Sequence, residues 1–246
     1  MDTIESIVPE WPAPARVHAA CSTRSGGVSL GPYAGLNVGN GSGDDPAAVA
    51  ENRRRLSAAL RLLREPEWLR QVHGSTVLPA PLATALPEAD ASLTSAAGIV
   101  CAVQAADCLP VLFCDDAGSI VAAAHAGWRG LAAGVLEATV AAMATPPEHL
   151  FAWLGPAIGP EAFEVGDEVR AAFVRHDAGA AAGFRAASLP GKHYGDLFAL
   201  ARRRLARIGL HRVYGGGIST HADPQRFYSF RRDGVCGRMV ALIWLE

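Results

Sequence analysis

The sequence has no excess of positive charge. Its 246 residues carry 22 Lys+Arg against 24 Asp+Glu, a net charge of −2. A general nucleic-acid binder shows a basic surplus, so nucleic acid is not an expected partner beyond a local basic site. Long hydrophobic runs are missing too. The longest uncharged apolar stretch, residues 91–106, is interrupted by Ser92, Thr94, Ser95, Gly98 and Gln104. A spanning helix needs about 20 mostly apolar residues, so no membrane segment is expected. The N-terminal region has Glu5, Pro9, Pro12 and Pro14 in place of the basic and apolar regions of a signal peptide. Cysteine is sparse: five residues, an odd number, with no CxxC pair. A disulfide framework is therefore not expected, and free thiols in a reducing, cytoplasmic setting are. The phosphate-loop pattern GxxxxGK[ST], the dinucleotide pattern GxGxxG, the zinc-protease pattern HExxH and the zinc-deaminase signature are all absent.

What is present is apolar and ordered. Half the residues are hydrophobic and 19% are charged, below the roughly 25% of an average globular domain. No internal repeat or composition break divides the chain, so one domain over residues 1–246 is expected. Asp45-Pro46 supplies a capping carboxylate and a first-turn proline for a helix running to about Leu63. Helical spacing also predicts helices over 131–143, 161–174 and 196–208. Short apolar segments predict strands at 99–104, 110–114, 120–124, 151–154, 213–215, 227–230 and 239–245. Asp115-Asp116-Ala117-Gly118 forms a hairpin turn between two of them. Consecutive strands without intervening helices between residues 99 and 124 argue for mixed or antiparallel sheets, an α+β class.

Reactive side chains concentrate in the middle of the chain. His73 stands beside Gly74. Cys108 follows Asp107 at a strand start. His125 ends a strand before a glycine-rich turn and a helix. Strand ends and the loops after them are where a rigid scaffold presents functional groups. Taken singly, a cysteine is more often an inert core side chain and a histidine next to glycine a turn residue. Together they fit two chemistries. His73, Cys108 and His125 could bind Zn²⁺ through two nitrogens and one sulfur, since catalytic zinc uses three protein ligands and keeps a fourth position open. Such a metal lowers the pKa of a water molecule it holds to about 7. Alternatively, Cys108 is a nucleophile with one histidine as its base, a metal-free Cys-His hydrolase. The separations of 35 and 17 residues do not decide between them. Asp107, costly to bury without a partner, is a candidate for proton transfer or for orienting a ligand. Arg24, Arg129 and Arg231 are candidates to receive an anionic substrate.

A run of motifs adds to this reading: STRSGGVS, PYAGLNVG, GDDPAAVAENRRRL, QVHG, ADCLPVLF, AAAHAGWRGL, WLGPAIGP with FEVG, FYSFRRDG and GRMVALIWL. In this order, from about Trp11 to Leu245, they resemble the YfiH-like family, also called the laccase-domain or multicopper polyphenol oxidoreductase family. Within it the likeness is greatest to members described as peptidoglycan editing factors. The resemblance implies a layered α+β fold with two mixed sheets between helices, similar to the cytotoxic necrotizing factor catalytic domain. It implies His73, Cys108 and His125 as metal ligands, which favours zinc over the thiol nucleophile. It further implies phosphorolysis of adenosine, inosine and methylthioadenosine, deamination of adenosine, and removal of L-serine from a mis-made UDP-N-acetylmuramic acid precursor. A copper-dependent polyphenol oxidase is the alternative it carries. The eight histidines include no His-x-His pair, although two His and one Cys also suit copper. Two segments depart from the family pattern: residues 39–43, where relatives often have His or Cys, and Ser219-Thr220, where they often have Cys-Thr.

Overall fold

The computed structural model describes residues 4–246; the first three residues of the expected single domain lie outside the described residues. A six-stranded sheet runs, in spatial order, β12 (Val213–Gly215), β8 (Leu150–Leu154), β6 (Leu109–Asp115), β7 (Val121–Ala126), β4 (Ala91–Thr94) and β3 (Val77–Pro79). Its two edge pairs are parallel and the three inner pairs antiparallel. A four-stranded antiparallel sheet has the order β1 (Ser6–Ile7), β2 (Val17–Ser22), β13 (Met239–Leu245) and β5 (Val100–Ala105). A small third sheet joins β10 (Phe184–Ala186), β11 (Lys192–Gly195) and β9 (Glu164–Gly166). The helices are α1 (Pro46–Ala59), α2 (Trp128–Ala133), α3 (Val135–Met143), α4 (Asp167–Val174), α5 (Leu197–Arg207) and α6 (Phe230–Asp233). The α+β class holds, with a third sheet added to the two expected and only the six-stranded one mixed. Among the described residues, no helix is long and apolar enough to cross a membrane.

The strands are apolar without alternation because both their faces are covered. Along β6, Leu109, Val111 and Phe113 face a core shared with α3 and α5 through Leu136, Leu200 and Leu205. The intervening Leu112 and Cys114 face the other sheet, where they meet Val103, Cys101 and Ile243. On the outer side of that second sheet, Val100, Ala102, Val240 and Leu242 pack under Leu56 of α1. The layers therefore run helices, six-stranded sheet, four-stranded sheet, helix. The free cysteines Cys21, Cys101 and Cys114 are buried in the inter-sheet core, where desolvation pushes each thiol up to about 12.

Three expected elements differ. The 131–143 helix is two helices, because Gly134 adopts left-handed backbone at φ 98° and its N–H closes α2 onto Gly130 and Leu131. The 161–174 helix begins only at Asp167, which with Glu168 places two acids in its first turn, favourable at a helix N-terminus. The preceding residues pair as β9 against β11. The 227–230 strand is a turn into α6. The Ser229 side chain accepts from the Arg232 N–H as the helix cap, and the Tyr228 hydroxyl donates to the Tyr33 carbonyl at 2.8 Å.

Helix α1 does more than cover a sheet. Asp45 caps it through the Ala47 N–H, with Pro46 in the first turn. Asn52 is fully buried. It accepts from the Val28 N–H at 2.8 Å and donates to the Asn37 carbonyl at 2.8 Å and to Ser29 Oγ at 2.9 Å. Arg53 donates to the Val38 carbonyl at 2.9 Å and stacks 3.7 Å from the Trp68 ring centre. Both residues thus hold the strand-like segment that leads into residues 39–43. Asn52→Ala strands several buried polar groups and is expected to lower stability by about 3 kcal/mol. The shift in the urea unfolding midpoint, at unchanged slope, measures it.

Candidate metal centre

Strand register brings the reactive residues together. In the β6·β7 hairpin Pro110 lies opposite His125 and Leu109 opposite Ala126, so Cys108 comes to stand across from Gly127. The turn at 115–118 that closes this hairpin is the one expected from the sequence, with the Asp115 carboxylate accepting the Ser119 N–H at 2.6 Å. On the other side of β7, Ala91 lies opposite Ala124, and the His125 N–H donates to the Asp90 carbonyl at 2.7 Å. Asp90 therefore sits beside His125. His73 belongs to none of these strands. It rides on a turn in left-handed backbone, φ 60°, uncommon for a residue with a side chain.

Asp90 is one residue that sequence reasoning missed. Its fully buried carboxylate accepts the backbone N–H groups of Val72 (3.2 Å), His73 (2.9 Å) and Gly74 (2.6 Å). It also lies 2.9 Å from Nδ1 of His125. Burial works against its charge, but the His125 hydrogen bond and the turn amides outweigh it and hold the carboxyl below its usual range. The only signal in the sequence is an acid directly before an apolar strand, where an unpaired carboxylate would be costly.

The ligand atoms of His73, Cys108 and His125 all lie within 4.8 Å of one another. Nε2 of His73 is 3.7 Å from Cys108 Sγ, and the two imidazole rings stand at 71° with centres 4.9 Å apart. His73 is exposed, Cys108 half-buried and His125 buried. Burial disfavours the Cys108 thiolate, yet the charge and hydrogen bonding of His125, then of His73, bring the thiol down to about 6. Burial likewise disfavours the His125 cation, but the Cys108 thiolate and Asp90 raise it to about 9.

The donor set fits a metal ion. One thiolate and two imidazoles are a borderline-soft set suited to zinc. The space between them is held open by a missing side chain. A Cβ on Gly127 would lie 2.7 Å from the His73 ring and 3.0 Å from Cys108 Sγ. Among the described residues this is the one cluster of three such side chains close enough to share an ion.

These residues open onto a cavity of about 780 Å³, a size suited to a small molecule. Trp128, Phe163, Phe230, Leu86 and Ile158 supply apolar wall, and Arg70, Arg129, Arg231 and Arg238 supply charge. Arg129 is exposed, lies 4.4 Å from the Trp128 ring centre, and makes no ion pair among the described residues. Arg231 also donates to the Ala162 and Glu164 carbonyls, and Arg70 pairs with Glu88. Arg238 was not singled out from the sequence; its guanidinium donates to the Cys236 and Gly237 carbonyls. Arg24 is a correction. It does not line the cavity, because its guanidinium is committed to the Ala34 and Pro224 carbonyls and stacks on Tyr228. Asp107, also at positive φ (86°), is bonded by Thr220 Oγ1 (2.7 Å), Ser229 Oγ (3.0 Å) and the Arg231 N–H (2.7 Å). Residues 39–42 line the cavity, and Thr220 holds Asp107.

A family model described as "Multi-copper polyphenol oxidoreductase laccase" matches residues 18–246. The purine nucleoside phosphorylase PA4543 of Pseudomonas aeruginosa is 54% identical over 240 residues, covering 98% of each chain. The purine nucleoside phosphorylase YfiH of Escherichia coli is 54% identical over 242 residues, covering 97% of this chain and 98% of its own. The crystal structure of Neisseria meningitidis protein NMB0706 superposes with a TM-score of 0.94 at 48% identity, covering 98% of this chain and 99% of its own.

In metal-free protein Cys108 and His125 form an ion pair over the window between about 6 and about 9. As pH falls through about 6 the thiolate takes a proton; as it rises through about 9 the imidazolium loses one. Thiolate absorbance at 240 nm should therefore persist to well below the ordinary thiol value near 8.5. It should be missing from Cys108→Ser over the same range.

Proposed function

The chain belongs to the multi-copper polyphenol oxidoreductase laccase family, and from that membership we propose that it is a zinc-dependent enzyme of purine nucleosides that cleaves them with phosphate. The observation that carries this reading is the cavity. One end holds the His73, Cys108 and His125 donors, and the wall joins aromatic surface to four arginines, with Asp107 the lone lining acid among the described residues. A purine finds apolar wall in Trp128, Phe163 and Phe230. A phosphate finds cations in a protein whose overall charge is negative.

His73 Nε2, Cys108 Sγ and the ring nitrogen of His125 turned away from Asp90 would hold the metal. When bound, zinc supplies Lewis-acid polarisation of a substrate atom. Phosphorolysis forms a bond from a phosphate oxygen to C1′ of the ribose as the C1′–N9 bond breaks. The purine departs with the electron pair and is protonated, leaving ribose 1-phosphate. The protein's part is to hold the anionic nucleophile against the sugar, a positioning task. Arg129, which has neither a carboxylate nor a carbonyl partner among the described residues, makes the first contact with phosphate. Arg231 and Arg238, tethered to carbonyls, give a fixed second edge. Asp107 positions Cys108, its chain neighbour, and the Arg231 backbone rather than shuttling protons, since its oxygens already accept three hydrogen bonds.

The competing readings use the same pocket differently. Adenosine deamination uses water as the nucleophile on an uncharged substrate and needs no anion site, so the arginines favour phosphorolysis over it; removal of serine from a UDP-muramyl precursor also uses water, but its diphosphate would engage the same arginines, and the substrate assay separates the two. A multi-copper oxidase needs several ligand clusters, and one is found among the described residues.

Elemental analysis and an adenine-release assay with adenosine and phosphate test the proposal. Wild-type protein is expected to carry about one zinc per chain and Cys108→Ala none, with activity lost alongside. Full activity in metal-free Cys108→Ala would overturn the metal reading in favour of another site. Gly127→Ala, which alters no ligand, is expected to reduce zinc content by filling the space between His73 and Cys108. Arg129→Ala is expected to raise KM for phosphate about tenfold, the loss of one charge-assisted hydrogen bond, with KM for adenosine little changed.

A further inference from the structure

We propose that Asp90 is the positioning residue that makes the His73/His125 pair competent to bind metal, by fixing the tautomer of one histidine and the backbone of the other with a single carboxylate. This rests on the metal reading above. A carboxylate is an acceptor only. With Oδ1 of Asp90 2.9 Å from Nδ1 of His125, that nitrogen keeps its proton, so when a metal displaces the other proton of the ring it is Nε2 that presents the lone pair. The same Oδ1 accepts the His73 N–H at 2.9 Å, while Oδ2 accepts those of Gly74 at 2.6 Å and Val72 at 3.2 Å. These three amides converge on one charge and stabilise the left-handed backbone that points His73 toward Cys108. The two histidines are 52 residues apart in the chain, and this carboxylate is hydrogen-bonded to both.

The role requires an anion. Asparagine has the shape of aspartate but turns one oxygen into an N–H donor. Facing the turn, that group opposes the Val72 and Gly74 N–H groups. Facing His125, it donates to Nδ1, drives the ring proton to Nε2 and removes the lone pair the metal needs. Either orientation loses something, and both losses fall on the metal ligands rather than on the core.

The test is a zinc titration against a chromophoric chelator, comparing wild type, Asp90→Asn and Asp115→Asn. Asp115 is a buried carboxylate that also accepts turn amides, at the opposite end of the β6·β7 hairpin. It controls for a merely structural cost. Asp90→Asn is expected to bind zinc about 10–100-fold more weakly, whereas Asp115→Asn lowers the unfolding temperature and leaves zinc affinity unchanged. A folded Asp90→Asn with wild-type zinc affinity overturns the proposal and leaves the metal reading standing. Wild-type protein that binds no zinc overturns both. A second measurement does not depend on the variant folding. The ¹⁵N-histidine spectrum of zinc-loaded wild type should show the His125 proton on Nδ1; a proton on Nε2 overturns the proposal.

Discussion

The register of β6 against β7 is the constraint on which the rest of the site depends. Six residue pairs align between these strands, and a side chain's face reverses with each single-residue slip. In the observed register Cys108 meets Gly127, and His125 is turned toward Cys108 on one side and Asp90 on the other. One residue of slip would send Leu112 and Cys114 into the helix-side core and Phe113 between the sheets. The two differently shaped cores thus reject the slipped state, and packing far from the metal centre secures its geometry.

Much of this was legible along the chain, for local reasons. The hairpin at 115–118, the capped start of α1 and the uninterrupted strands around residues 99–124 are decided by a few neighbouring residues, and all three are present. Cys108, His73 and His125 stood out because a reactive type lay next to a turn signal. Elements were misplaced where tertiary contacts override a local pattern. Residues 227–229 are apolar enough for a strand, but Ser229 caps a short helix and the Tyr228 hydroxyl is drawn to the Tyr33 carbonyl. Gly134 lies within an apolar, alanine-rich run whose periodicity gives no warning of a break. Asp90, Asn52 and Arg238 were invisible for a different reason. The partners of Asp90 and Asn52 are distant in the chain, and a polar residue such as Arg238 reads as a surface residue until the fold shows what it lines.

The charge distribution shows why bulk composition says little about a ligand. The chain is slightly acidic, yet its cavity is strongly cationic. Many carboxylates elsewhere are spent on local tasks. Asp177 pairs with Arg203 and Arg207, Glu137 with Arg204, Asp116 with His149 and Arg212. The acids nearest the cavity are committed in the same way, Asp107 to the α6 turn and Asp90 to the His73 turn. Neutralisation outside and satisfaction inside leave Arg129, Arg231 and Arg238 without carboxylate partners among the described residues, a local positive field felt by whatever enters.

Two residues in left-handed backbone flank the metal ligands: His73 is one itself, and Asp107 immediately precedes another. Both conformations are held by hydrogen bonds from groups distant in sequence. This bears on transplantation. Copying the three ligands into a different protein, even at matched distances between their α-carbons, would not transfer the centre. The smallest portable unit is larger. It comprises the 72–74 turn with the carboxylate that gathers its amides, the 107–108 corner with the hydroxyls of Thr220 and Ser229, and a glycine opposite the thiol. A scaffold search for such a centre would be guided better by these two backbone corners than by the identities of the ligands.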